Sequence, residues 1–158
     1  MSRENWDELR QAVAEEMQAM QAAVDAYDEA AAKVLGVNRT DLRCLELLNR
    51  HGELTPGRLG TALGLTAGSV TAMLDRLERL GYLTRSPDPG DRRKVLIQIT
   101  DTARQKSWDL YGPFVTEGET FMRDYTTAEL ELLAGFLRRS RELYERHLER
   151  TLRLRDHR

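Results

Sequence analysis

Two short helical signals joined by three residues set the strongest limit on what this sequence can become. Thr55-Pro56 pairs a capping hydroxyl with a proline at the first helical position, where its missing N–H costs nothing, and the run it opens ends near Gly64. Only Leu65 separates that glycine from Thr66, which opens a second run. There Val70, Met73, Leu74, Leu77 and Leu80 form one apolar stripe, closed by Gly81. Neither helix can extend through so tight a link, so the pair predicts a helix-turn-helix. At 100° per residue the second helix turns Gly68, Thr71, Ala72, Asp75 and Arg79 outward, with Ser69 and Arg76 on one flank. The N-terminal half of that outer face is small and hydroxylated.

After Tyr82 the periodicity changes. The segment "LTRS" is short and strand-like, and "KVLIQIT" sets Val95, Ile97 and Ile99 on one face with Leu96 and Gln98 on the other. Between them Pro87-Asp88-Pro89-Gly90-Asp91 is dense in turn formers, predicting a β-hairpin with a loop of roughly eight residues. Its tip carries Arg92, Arg93 and Lys94 beside Asp91, where water already satisfies cations. A duplex would give them a use. A slim hydroxyl-bearing helix can enter the major groove, where Ser and Thr bond base edges or phosphates and a Thr methyl can meet a thymine methyl. An arginine on a protruding wing can reach the adjacent minor groove, narrow and negative over A·T-rich steps. Asp91 can orient a guanidinium beforehand by a charge-assisted bond, reducing the entropy lost on binding.

The flanks are helical. Trp6, Leu9, Val13, Met17, Met20, Val24, Tyr27, Ala31 and Val34 recur at steps of three or four, a narrow seam suited to a helix–helix interface, and Gly36 stops the run. A second helix is expected from Thr40 as N-cap, with Leu42, Leu45 and Leu48 inward, to His51-Gly52. Beyond the hairpin, one helix is expected from Thr100 to about Tyr125, kinked or interrupted at Pro113. Another starts at Thr126, in capping-box spacing with Glu129, and carries Leu130, Leu133, Leu137, Tyr144, Leu148 and Leu152. The arginine-rich end from Arg150 to Arg158 is expected to fray. The expected fold is therefore mainly α with a small β-wing: an N-terminal dimerisation helix (1–36), a winged helix-turn-helix lobe (37–100, wing about 83–99), C-terminal dimerisation helices (101–152) and a basic tail (153–158).

Composition narrows the function classes. Residues 1–34 hold 3 Lys/Arg against 8 Asp/Glu, whereas residues 55–100 hold 7 against 4, so an acidic body carries one basic lobe within a net charge of -2. The uncharged run Leu59 to Leu74 has Gly60, Gly64 and Gly68 at four-residue spacing, but it is too short and too rich in Thr and Ser to span a membrane. No basic segment precedes an apolar one, so no secretory signal and a cytoplasmic location are expected. The single cysteine, Cys44, excludes an internal disulfide and reads as a small buried thiol beside Leu45. His51, His147 and His157 lack metal-ligand spacing with one another or with Cys44, and no Gly-x-Ser-x-Gly, Walker or His-Glu-x-x-His stretch occurs. Neither enzymatic activity, a metal nor a cofactor is expected. Gly57, Gly60 and Gly64 crowd the first helix of the motif and Gly68 sits in the second, each interior glycine costing about 0.5–1 kcal/mol relative to alanine. Close helix packing and an adjustable lobe both account for them.

The stretch "TPGRLGTALGLTAGSVTAMLDRLERLGYLTRSPDPGDRRKVLIQIT" resembles the winged helix-turn-helix of the MarR family of bacterial transcription regulators, marked by a D-x-R wing after an "LDRLE..GY" recognition-helix end. The likeness is close over residues 55–100, and the flanking helices fit the family plan over about 40–152. It implies a homodimer with interlocked terminal helices, paired winged lobes on a pseudo-palindromic operator in double-stranded DNA, and often a cleft for a small-molecule effector. Carried over by position, it places Ser69 and Thr71 toward bases, Thr66 near phosphates, and Arg76 at phosphates or the groove edge. Arg93, ending the D-x-R that Asp91 begins, becomes the minor-groove arginine, with Arg92 its phosphate-contacting neighbour and Lys94 a further candidate. The expected protein is thus a dimeric, sequence-specific repressor relieved by a small molecule. The competing class is a winged-helix protein-interaction module that binds no DNA.

Overall fold

A computed structural model describes residues 3–156. In chain order its elements are α1 (Arg3–Leu35), α2 (Arg39–His51), β1 (Glu53–Leu54), α3 (Pro56–Leu63), α4 (Ala67–Arg79), β2 (Leu83–Pro87), β3 (Val95–Ile99), α5 (Asp101–Met122) and α6 (Thr127–Asp156). The mainly helical class with a small β-wing is borne out, the wing belonging to a three-stranded antiparallel sheet. The chain divides into two compact units, one running to Leu110 and the other starting at Tyr111.

Local chemistry accounts for the helix ends in the first unit. The Thr55 side chain accepts from the Arg58 N–H with Pro56 at the first helical position, and Gly64 ends α3 at φ 64°, a left-handed conformation that glycine adopts without steric cost. Thr66 caps α4 through the Ser69 N–H. At the far end Gly81 N–H reaches the Glu78 carbonyl and Tyr82 N–H the Leu77 carbonyl, both at 2.9 Å, a Schellman closure. The start of α2 differs from the sequence expectation. Its cap is Asn38, not Thr40: the Asn38 side chain accepts from the Asp41 N–H while the Asp41 carboxylate accepts from the Asn38 N–H, satisfying two donors reciprocally.

The core of this unit is the apolar stripe of α4 (Val70, Met73, Leu74, Leu77) set against Leu42, Leu45 and Leu48 of α2, Leu59 of α3, and Leu83 and Ile97 of the sheet, all buried. Strand β3 lies in the middle, pairing Leu83 with Ile99 and Pro87 with Val95 on one side, and Glu53 with Gln98 and Leu54 with Ile97 on the other. The two-residue strand β1 has no counterpart in the sequence pattern. The alternation in β3 also departs from expectation: Leu96 is buried, while Val95 is exposed at the outer end of the hairpin beside Pro87. Thr100 closes the base of the wing, its hydroxyl donating to the Gly81 carbonyl (2.7 Å) and its N–H to the Tyr82 carbonyl (3.0 Å). The Tyr82 hydroxyl in turn donates to the Leu35 carbonyl at the end of α1.

In the second unit, Thr126 and Glu129 form the expected capping box, Thr126 N–H and hydroxyl both donating to Glu129 Oε2. Those bonds hold the Glu129 carboxyl below its ordinary range, the hydroxyl contributing most. Of the kink or interruption expected at Pro113, the interruption does not occur: helix α5 runs through Pro113. Pro113 and Asp109 are both exposed, so water can serve the Asp109 carbonyl that the proline leaves without its helical donor. Helix α6 extends to Asp156; His157 and Arg158 lie outside the described residues.

Candidate nucleic-acid interface

Helix α4 presents Thr66, Ala67, Gly68, Ser69, Thr71 and Ala72 to solvent. This is a face without a long side chain. Its hydroxyls are already organised: Thr66 Oγ1 and Ser69 Oγ lie 2.9 Å apart, and the Thr71 hydroxyl donates to the Ala67 carbonyl at 3.1 Å. Ser69 and Thr71 therefore retain acceptor lone pairs in fixed positions on a helix whose opposite stripe is locked in the core. Close approach of α3 makes this possible. A Cβ on Gly60 would stand 3.1 Å from Val70 Cγ2, so that glycine lets the two helices of the motif pack together.

The wing loop, residues 88–94, is shaped by two aspartates. Asp88 Oδ1 accepts from the N–H groups of Gly90 (2.7 Å) and Asp91 (3.2 Å), and Asp91 Oδ1 accepts from the Arg93 N–H (3.2 Å). Backbone bonds from Asp88 N–H to the Lys94 carbonyl and from Lys94 N–H to the Asp91 carbonyl close the turn. Asp91 lies 3.6 Å from Arg93 Nε and 3.7 Å from Lys94 Nζ, loose ion pairs that bias both cations without holding them. The Arg93 side chain is 96% exposed, so it can exchange Asp91 for an external anion at little cost. Arg92 and Lys94 are exposed as well.

Of the eight residues picked out from the sequence, the structure groups Thr66, Ser69 and Thr71 on one helix face and Asp91, Arg92, Arg93 and Lys94 on the wing tip. Arg76 stands apart. Its Nε donates to Asp41 Oδ2 (2.8 Å) and its Nη2 to Asp41 Oδ1 (2.5 Å), and this bonding to a fully buried carboxylate raises the guanidinium pKa. A second clamp was also not legible: Arg85 on β2 donates to Glu78 (2.8 Å) and Asp75 (2.6 Å) of α4, tying the wing to the helix. Asp41 could have been found from the Asn38–Asp41 capping-box spacing, and Arg85 from the outward phase of its strand. Their partners are fixed only in three dimensions.

Cys44 is buried, and burial first, then the Asp41 charge, pushes its thiol up to about 12, which leaves it neutral and unreactive at ordinary pH. Among the described residues no group of three or more His, Cys, Asp or Glu is placed to hold a metal, and no helix is long and apolar enough to cross a membrane.

Residues 37–95 match the MarR family. Over 124 residues the chain is 41% identical to the uncharacterized HTH-type transcriptional regulator YcgE of Bacillus subtilis, covering 78% of this chain and 80% of that one. Among solved structures it is similar to transcriptional regulator Tm0710 of Thermotoga maritima (TM-score 0.61, 24% identity, 88% of this chain and 98% of that one). It is likewise similar to wild-type MarR of E. coli in its apo form (TM-score 0.57, 21% identity, 80% and 94%), and both structures support the fold.

Proposed function

The chain belongs to the MarR family of DNA-binding transcriptional regulators, a non-enzymatic family, and we propose that it acts as a homodimeric repressor of a pseudo-palindromic operator. In this reading Ser69 and Thr71 face bases in the major groove, Thr66 lies near a phosphate, Arg93 enters the minor groove with Asp91 orienting it, and Arg92 and Lys94 meet phosphates. The observation that carries it is the pairing of a slim hydroxylated helix face with a wing whose Arg93 is almost fully exposed and only loosely paired with Asp91. Two recognition helices would have to sit about 34–36 Å apart to reach successive major grooves. A protein that binds DNA in this way works in the cytoplasm, and a small molecule that lowers operator affinity is the regulatory input the reading expects.

Selection of bound sequences from a random duplex pool, followed by titration of the selected operator with Arg93→Ala, tests it. The variant should bind about 1–3 kcal/mol more weakly with an unchanged melting temperature. Wild-type affinity should fall steeply as salt rises. Failure to enrich any sequence, with no salt-dependent retention of duplex, would leave the scaffold as a protein-interaction module. Unchanged affinity for Arg93→Ala would remove the wing from the interface.

A further inference from the structure

Asp41 is fully buried and is the one charged residue that the core of the described residues contains. It sits in the first turn of α2, where its Oδ2 accepts from the Asn38 N–H (3.3 Å) and from Arg76 Nε (2.8 Å), while Oδ1 accepts from Arg76 Nη2 (2.5 Å). The carboxylate thus joins the point where the chain turns from α1 into α2 to a residue 35 positions away in the last turns of α4. Replacing a buried ion pair by apolar residues of similar volume is often neutral or stabilising, so stability alone does not explain a charge here. Geometry does. The apolar stripe of α4 seats the helix against the core, and a planar fork on a carboxylate adds a directional constraint on its rotation and slide.

We propose that Asp41 and Arg76 form a positioning lock that sets how α4 presents Ser69 and Thr71, so that Arg76 acts on operator choice through Asp41 and not by neutralising a phosphate. The inference rests on the DNA-binding reading above and assigns Arg76 a role different from the phosphate contact its sequence position suggested. Two physical points support it. The Arg76 charge is cancelled within hydrogen-bond distance by a carboxylate that cannot move to water, so a phosphate approaching Arg76 meets a nearly neutral pair and releases little counterion. The lock also lies about 10 Å along the helix from Ser69, far enough that a small tilt at Arg76 displaces the base-facing hydroxyls.

The test compares Arg76→Lys, Arg76→Gln and Asp41→Asn for binding to the selected operator and to unrelated duplex between 50 and 200 mM salt, and follows hydrogen exchange of the free proteins. The lock expects Lys to fail as Gln does, because charge without the fork is not enough. The ratio of specific to non-specific affinity should drop about tenfold or more, the salt slope of non-specific binding should stay at its wild-type value in both Arg76 variants, and amide exchange at Thr66–Val70 should speed up. Near-wild-type binding by Arg76→Lys, with Arg76→Gln losing about 0.9 from the salt slope, would make Arg76 a phosphate contact and overturn the proposal. So would unaltered exchange in the first turn of α4, or specific and non-specific affinity falling together with the melting temperature. Should Asp41→Asn not fold, Arg76→Lys carries the same test with the buried carboxylate intact. Wild-type protein that binds no duplex overturns this inference together with the reading beneath it, a failure seen before any variant is made.

Discussion

Single residues decide how tightly the helix-turn-helix closes, and the glycines of the motif do so in different ways. Gly60 is a packing requirement: an added Cβ would press on Val70, a stiff β-branched side chain that is itself buried and has no easy retreat. Gly68 meets nothing within 4 Å, and its helical backbone suits any residue. Gly60→Ala should therefore destabilise by about 1–3 kcal/mol in chemical denaturation, whereas Gly68→Ala should match or exceed wild type by up to about 1 kcal/mol. Equal destabilisation by both would mean that the groove between α3 and α4 is not set by Gly60. Cys44 gives a pH signature at the same scale. Its thiol is raised from 9.0 to about 12 in the folded protein, so the unfolded chain loses the proton first as pH rises. The contribution is fully present below about pH 9 and should be lost progressively up to about 12. At pH 8 the native protein should resist iodoacetamide and react at once in urea; fast native labelling would show that the thiol is not buried.

Among elements, the wing and α4 act as one body because Arg85 bridges Asp75 and Glu78 while Thr100 closes the base of the hairpin. Such partly exposed ion pairs add little to stability, about 0.2–1 kcal/mol each. Their effect should appear on DNA, where two carboxylates on the outer side of α4 would face phosphates without the arginine between them. Arg85→Gln should keep its melting temperature within a few degrees and lose operator affinity, most at low salt, and Asp75→Asn added to it should recover part of the loss. No recovery in the double variant would leave Arg85 acting on DNA directly. The sequence spoke clearly wherever an element is specified by its own residues: the Thr55, Thr66 and Thr126 caps and the Gly64 and Gly81 stops are local chemistry. It was silent where the partner is remote. Strand β1 is two residues long and exists because β3 pairs with it. The α2 cap was misplaced because Thr40 and Asn38 are both good caps, and Asp41 discriminates between them only through its reciprocal bond. For the candidate site, composition and spacing revealed the helix face and the wing cations, while the supports beneath them, Asp41 and Arg85, depend on contacts no spacing encodes.

At the scale of the whole molecule, each terminal helix keeps an apolar ladder in solvent. Trp6, Leu9, Val13, Met20 and Val24 are exposed on α1, and Leu133, Phe136, Leu137, Tyr144, Leu148 and Leu152 on α6. Helices of this length with such stripes bury them against another chain or lose much of the stability that packing gives. The proposed homodimer supplies that partner. Glutamate substitutions distinguish this from a self-sufficient monomer. Val13 is 44% and Leu137 52% exposed within one chain, so Val13→Glu and Leu137→Glu should change the stability of an isolated monomer by only about 0.5 kcal/mol. Buried at a subunit interface, the same unpaired carboxylates would each cost several kcal/mol. Light scattering at micromolar concentration should therefore give twice the chain mass for wild type and a shift toward monomer for both variants. Operator affinity should collapse in parallel, because one recognition helix reads only half of a two-fold site. A wild-type mass equal to one chain, or variants that remain dimers with operator binding intact, would mean that these ladders serve some other partner and that the spacing between recognition helices is set elsewhere.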